Sequence, residues 1–135
     1  MALDPSAFDP TRALEAIVRC DRQGITTRMQ PHLPEGLILE ALAQTCGMHL
    51  RFRHDFAVTA YLVRLTNLVC TATMAGSGVI RATATAQTAA AMSYAVEVED
   101  GPSCRILMGF HPASAAPDTF FLDRFRCLSS PSSNA

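Results

Sequence analysis

Residues 30–52 read QPHLPEGLILEALAQTCGMHLRF, an apolar run with one carboxylate, Glu40, in its middle and a histidine and two prolines just ahead. From position 35 to about 54 the residues are strong helix formers, and Leu37, Ala41, Leu42, Thr45 and His49 recur at spacings of three and four. Pro34 suits the first turn of such a helix, and Glu35 suits its positive end. Almost every side of the helix is apolar, so it should be wrapped by a sheet and not laid on a surface. A carboxylate in that setting is costly to bury and needs a partner or a job.

The chain on either side supplies the sheet. Upstream, ALEAIVRC and GITTRMQ flank Asp21, Arg22 and Gln23. Gly24 there is suited to a positive φ, which predicts a β-hairpin. Downstream, TAYLVRLTNLVCTA, GVIRATATAQTAAAMSYAVEVED and SCRILMGFHP alternate with β-branched residues, with turns expected near positions 75–78 and 100–102. Ala82, Ala84 and Ala86 give one strand a face of small side chains that a helix or ligand can approach closely. The order is a hairpin, one long buried helix, then three or more long strands: an α+β domain over residues 12–113. Residues 1–11 read as an N-terminal arm, and residues 114–135 as an extension with a frayed tail. Within that extension FFLDRFRCL has the spacing of a short helix.

With 135 residues the chain fits one domain, and its 49% hydrophobic content suggests that some surface is buried in a dimer or an assembly of dimers. A net charge of -1 and scattered arginines without any lysine argue against nucleic acid as partner. No targeting segment or membrane span is read, which suggests a cytoplasmic protein. Five widely separated cysteines contain no C-x-x-C pair, and no histidine pair with a carboxylate has metal-ligand spacing, so neither metal nor cofactor is expected. Cys46 reads as a small core residue and not as a nucleophile. His49 and His54 suit the negative pole of the helix, and His111 reads as solvated. Arg51, Arg53 and Arg64 read as scattered surface residues or as a small cationic rim for an acidic partner.

The order of elements, with LPEGLILEALAQTCG on the helix, resembles the hot-dog fold proteins of the 3-hydroxyacyl-acyl carrier protein dehydratase family. The motif LILEALAQ at residues 37–44 carries the likeness, being close to the family's LIIEAMAQ. The arginine-only, alanine-rich style also resembles dehydratase-like proteins of aryl polyene clusters. The resemblance implies a hot-dog domain acting on acyl thioesters of acyl carrier protein or CoA in fatty acid or polyketide-type metabolism. It implies Glu40 as the group that handles the leaving hydroxyl and Gln44, one turn on, as its orienting amide. Gly36 and Gly47 would let acyl chain or pantetheine approach the backbone, and the helix start around Glu35 and Gly36 would polarise the thioester carbonyl.

The family's histidine, which takes the α-proton, is displaced in this sequence. If residues 33–36 start the helix, its position falls near Thr26 or Thr27, where no base exists. If His32-Leu33-Pro34-Glu35 stands for the family's His-Phe-Pro-Gly, the spacer is deleted and His32 is the base. Helical rise puts Glu40 roughly 8 Å along the axis from the helix start, so His32 and Glu40 would meet across a dimer or through water. Three functions stay open: a dehydratase, an acyl thioesterase using the carboxylate alone, and a non-catalytic acyl-binding or assembly partner. The plain alternative for Glu40 is a carboxylate buried at an interface and paired with Arg64 or Gln44.

Overall fold

The computed structural model describes residues 12–113 and 119–130. The expected arm at 1–11 and the tail from 131 lie outside the described residues. Strands β1 (Leu14–Cys20) and β2 (Gly24–Met29) lead through a 3-10 turn at Glu35–Leu37 into helix α1 (Ile38–Arg53). Strands β3 (Val58–Val69), β4 (Val79–Gln87), β5 (Ala91–Val98) and β6 (Ser103–Pro112) follow, and helix α2 (Thr119–Ser129) comes last. All strands join one six-stranded sheet in the order β1-β2-β4-β5-β6-β3, antiparallel at every pairing. Strand β3 therefore lies at an edge, beside β6 alone.

The predicted hairpin is present, with Cys20 opposite Ile25, but its glycine works differently from expectation. Gly24 is not among the positive-φ residues, which include Gly76 and Gly78 in the turn between β3 and β4. Asp21 makes the hairpin turn by accepting hydrogen bonds on Oδ1 from the backbone N–H groups of Gln23 (2.9 Å) and Gly24 (3.1 Å). Glycine is needed at position 24 because a Cβ there would stand 2.5 Å from the carbonyl oxygen of Ala82 on β4. The alternating run at 78–100 folds as two strands, reversing at residues 88–90 with neither glycine nor proline. Thr88 makes this turn, donating its N–H to the Ala91 carbonyl (2.8 Å) and accepting on Oγ1 from the Ala90 N–H (3.3 Å).

Eleven of the sixteen residues of α1 are buried, against an inner sheet face built from alternating residues such as Met92, Tyr94, Val96 and Val98. The helix ends in a Schellman-type turn. Phe56 N–H donates to the Arg51 carbonyl (2.7 Å) and Asp55 N–H to that of Phe52 (3.2 Å), with Asp55 at φ 53°.

Two polar bridges tie α1 to the sheet. Thr45 donates its hydroxyl to the Ala41 carbonyl (2.9 Å) and lies 2.9 Å from the Thr27 hydroxyl on β2. His49, expected at the helix pole, is instead fully buried, with Nε2 2.8 Å from the Asp21 carbonyl and Nδ1 2.8 Å from the Tyr94 hydroxyl. A carbonyl can only accept, so Nε2 carries the proton and Nδ1 accepts from Tyr94. Burial, reinforced by nearby Arg53, pushes the His49 pKa down against a smaller opposing effect of the Asp21 carbonyl. His54 is pushed the same way, first by burial and then by Arg53, as its ring packs 4.6 Å from Phe110. His54 does stand at the C-cap of α1, but burial disfavours the cation on both rings.

Because the fold disfavours a proton on His49, the unfolded chain binds more protons as the pH falls. The stability contributed by the neutral imidazole is full above the ordinary histidine pKa and is lost below it. The urea midpoint should therefore drop between about pH 7.5 and about pH 5. His49→Gln should be less stable by about 1–3 kcal/mol and show a flatter pH profile. Equal slopes in the two proteins would assign the acid sensitivity to other groups, His54 first.

Candidate functional site

The sheet covers α1 incompletely, and a cavity of about 220 Å³ runs along the side left open. Its floor is a helix face on which Glu40, Gln44, Gly47 and Arg51 follow one another at steps of four, three and four. Ala60, Tyr61 and Leu62 of β3 form one wall, and Phe121 and Leu128 of α2 another. Eleven residues of helical rise separate Glu40 from Arg51, about 16 Å. The cavity thus has a carboxylate near one end, a guanidinium near the other, and mostly apolar walls between.

Glu40 stands in the first turn of α1 and is exposed in the single chain. The expectation of a buried carboxylate is not met in the single chain, because Glu40 is on the face of that turn away from the buried Ile38, Ala41 and Leu42. Ion pairs among the described residues join Arg19 to Asp21, Arg28 to Glu15 and Arg81 to Glu99, and none includes Glu40. Gln44 is half-buried one turn along the same face.

Arg51 is the site residue that the sequence reading placed on a surface rim. Only 8% of it is exposed. Its Nη2 donates to the Ala60 carbonyl (3.3 Å) and its guanidinium lies 3.6 Å from the centre of the Phe121 ring. Gly47 makes room for it, since a Cβ at position 47 would come 2.9 Å from Arg51 Nη1. The space above Gly47 therefore holds a side chain of the protein. The signal for Arg51 was its register, since position 51 continues the face of 40, 44 and 47. Arg53 lies elsewhere, donating to the Arg22 carbonyl (3.0 Å) and to Gln87 Oε1 (3.1 Å), and Arg64 is exposed on β3.

The remaining expected residues do not line the cavity. His32 is exposed in the turn before the helix, at φ 59°. Glu35 and Gly36 are exposed in the 3-10 turn. Thr27, at one of the two places considered for the family's histidine, is buried with its hydroxyl on Thr45. The structure thus brings Glu40, Gln44 and Gly47 together and leaves His32, Glu35 and Gly36 outside.

Cys46 is on the same helix and buried in the core, and burial, with Cys104 nearby, pushes its thiol pKa far up. Among the described residues no group of three or more His, Cys, Asp or Glu is placed to hold a metal ion, and no helix is long and apolar enough to cross a membrane. A larger depression of about 390 Å³ lies over Asn67, Arg81, Thr83, Glu97 and Arg105. These residues are on the outer, exposed side of the sheet, where a ligand would remain in water, so the cavity on α1 is the stronger candidate.

No family model matches the chain, and no curated protein matches it. Among solved structures it is similar to the dehydratase heterocomplex ApeI:P from Xenorhabdus doucetiae, with a TM-score of 0.61 and 13% identity, covering 88% of this chain and 91% of that one. It is also similar to AziG from S. sahachiroi, with a TM-score of 0.58 and 15% identity, covering 83% of this chain and 100% of that one. At such identities the likeness concerns the fold. The long helix against a six-stranded antiparallel sheet is a hot-dog fold, as the motif on the helix led us to expect.

Alkylation of the native protein near pH 8 should label the exposed Cys70 and Cys127 and spare Cys46 by a factor of about ten or more. Peptide mapping checks this. Fast modification of Cys46 would mean an accessible thiolate and reopen nucleophilic catalysis.

Proposed function

We propose that the chain is a dehydratase-like subunit that receives a 3-hydroxyacyl thioester, carried on acyl carrier protein or CoA, in the cavity along α1. The observation that carries this reading is Glu40 beside a long, mostly apolar cavity, with Gln44 one turn behind it. In dehydration a base takes the proton from C2, the C3–O bond breaks, and the departing hydroxyl takes a proton from an acid to leave as water. Glu40 is the acid in this scheme, and Gln44 orients it. The positive end of α1, whose first turn holds Glu40, polarises the thioester carbonyl.

The base comes from a partner. No histidine lines the cavity among the described residues, while His32 stands exposed in the turn ahead of the helix and can serve a neighbouring subunit. Support for a dimer comes from β3, an edge strand of 12 residues. It exposes Tyr61, Leu62, Val63, Leu68 and Val69, with Val63 52% accessible. A long apolar edge of this kind pairs with another chain or aggregates. Covering it would also enclose the neighbouring cavity wall at Ala60, Tyr61 and Leu62 and desolvate Glu40. The similar solved structure from Xenorhabdus doucetiae is itself a heterocomplex, so the second subunit is either another copy of this chain or a related chain with its own histidine. The compartment that fits such a subunit is the cytoplasm.

The lack of a cavity-lining histidine favours one second reading, an acyl-binding or assembly subunit without turnover of its own. Mass spectrometry of a 3-hydroxyacyl-pantetheine panel separates the readings. Wild type is expected to form the enoyl thioester, and Glu40→Gln and His32→Ala to lose roughly a hundredfold or more in rate. Bound but unchanged substrate would establish the silent subunit, and release of free thiol would establish hydrolysis. Light scattering should show a dimer for wild type and a monomer for Val63→Glu. A monomeric wild type would contradict the completion of the site across β3.

A further inference from the structure

Helix α2 follows the sheet and is held at three points, on β1, on the end of α1 and in the core. Arg124 Nη2 donates to the Leu14 carbonyl at 3.0 Å. The Phe125 ring stacks on Phe52, with centroids 5.6 Å apart, and meets Phe56 edge-on at 5.4 Å. Leu128 is buried in the core. This docking fixes which of two consecutive phenylalanines enters the cavity. Phe120 is 54% exposed and lines nothing there, whereas Phe121 lines the cavity and lies on Arg51.

Arg51 is near the last turn of α1 and Glu40 is in its first. The Arg51 guanidinium reaches back over Gly47, so the Phe121 ring stacked on it stands about 10 Å along the helix axis from the level of Glu40. A chain whose thioester sits at Glu40 would run along Gln44 and meet the guanidinium–ring pair over Gly47. That pair is a firm obstacle: the ring is stacked on a charged group, and the guanidinium is tied to the Ala60 carbonyl.

We propose that Phe121 is the end-stop of the acyl cavity and sets the longest chain that the protein accepts. The inference rests on the acyl-thioester reading above. It gives α2 a role in specificity beyond its packing.

The test is binding of saturated acyl-pantetheine thioesters of increasing length, followed by native mass spectrometry or calorimetry. In wild type, affinity should rise about fourfold per added methylene until the chain reaches Phe121, then level or fall. In Phe121→Ala the break should move to chains at least two carbons longer, and in Phe121→Leu it should move less. Phe120→Ala should keep the wild-type break. Thermal melts check that each variant is folded, and Phe121→Leu, the gentler change, carries the test if the alanine variant does not fold. A break that stays in place in the folded Phe121 variants overturns the end-stop while leaving the acyl cavity intact. A wild type that binds no chain of any length overturns both.

Discussion

Everything in this molecule follows from the burial of α1. A helix apolar on nearly every side cannot lie on a surface, and no single flat sheet face can cover eleven of its sixteen residues. The six strands wrap around it, and α2 closes over part of what they leave. The remaining opening faces the β3 edge, along Glu40, Gln44, Gly47 and Arg51. The candidate site is thus the side of the helix that the sheet fails to cover, so the fold places it without any dedicated loop.

The polar groups of the helix divide according to this geometry. Those facing the sheet are bound into it: Thr45 to Thr27, and His49 between Asp21 and Tyr94. They are satisfied, inaccessible and structural, because an unpaired polar group there would be heavily penalised. Those facing the cavity differ. Glu40 is exposed at one end, and Arg51 rests on an aromatic ring and a carbonyl at the other. A second subunit laid along β3 would change the surroundings of Glu40 most and those of His49 least.

The architecture was legible in the sequence because it is written in periodicity: spacings of three and four on the helix, alternation in the strands, and Asp21 in the hairpin turn. The motif at 37–44 then pointed to the hot-dog arrangement that the solved structures share. Details that depend on distant neighbours were not legible. Gly24 was read through its own φ, but its constraint comes from the Ala82 carbonyl on β4. The turn at Thr88 uses a hydroxyl, with neither glycine nor proline to mark it. His49 was assigned from its place near a helix end, although its partners are 28 and 45 residues away in the chain. In the site, the shared face of Glu40, Gln44 and Gly47 could be read from spacing. The exposure of Glu40 and the burial of Arg51 could not, since both depend on where the sheet stops and α2 begins.

The central claim is that the cavity along α1 is an acyl-binding site. It is tested most directly by photocrosslinking with an acyl-pantetheine probe carrying a diazirine near the chain end, followed by peptide mapping. The account predicts adducts on the inner part of the cavity, at Gly47, Met48, Arg51 or Phe121, that are competed away by unlabelled acyl-pantetheine. Competed adducts on the outer sheet face around Asn67 and Arg105, or none above background, would contradict it.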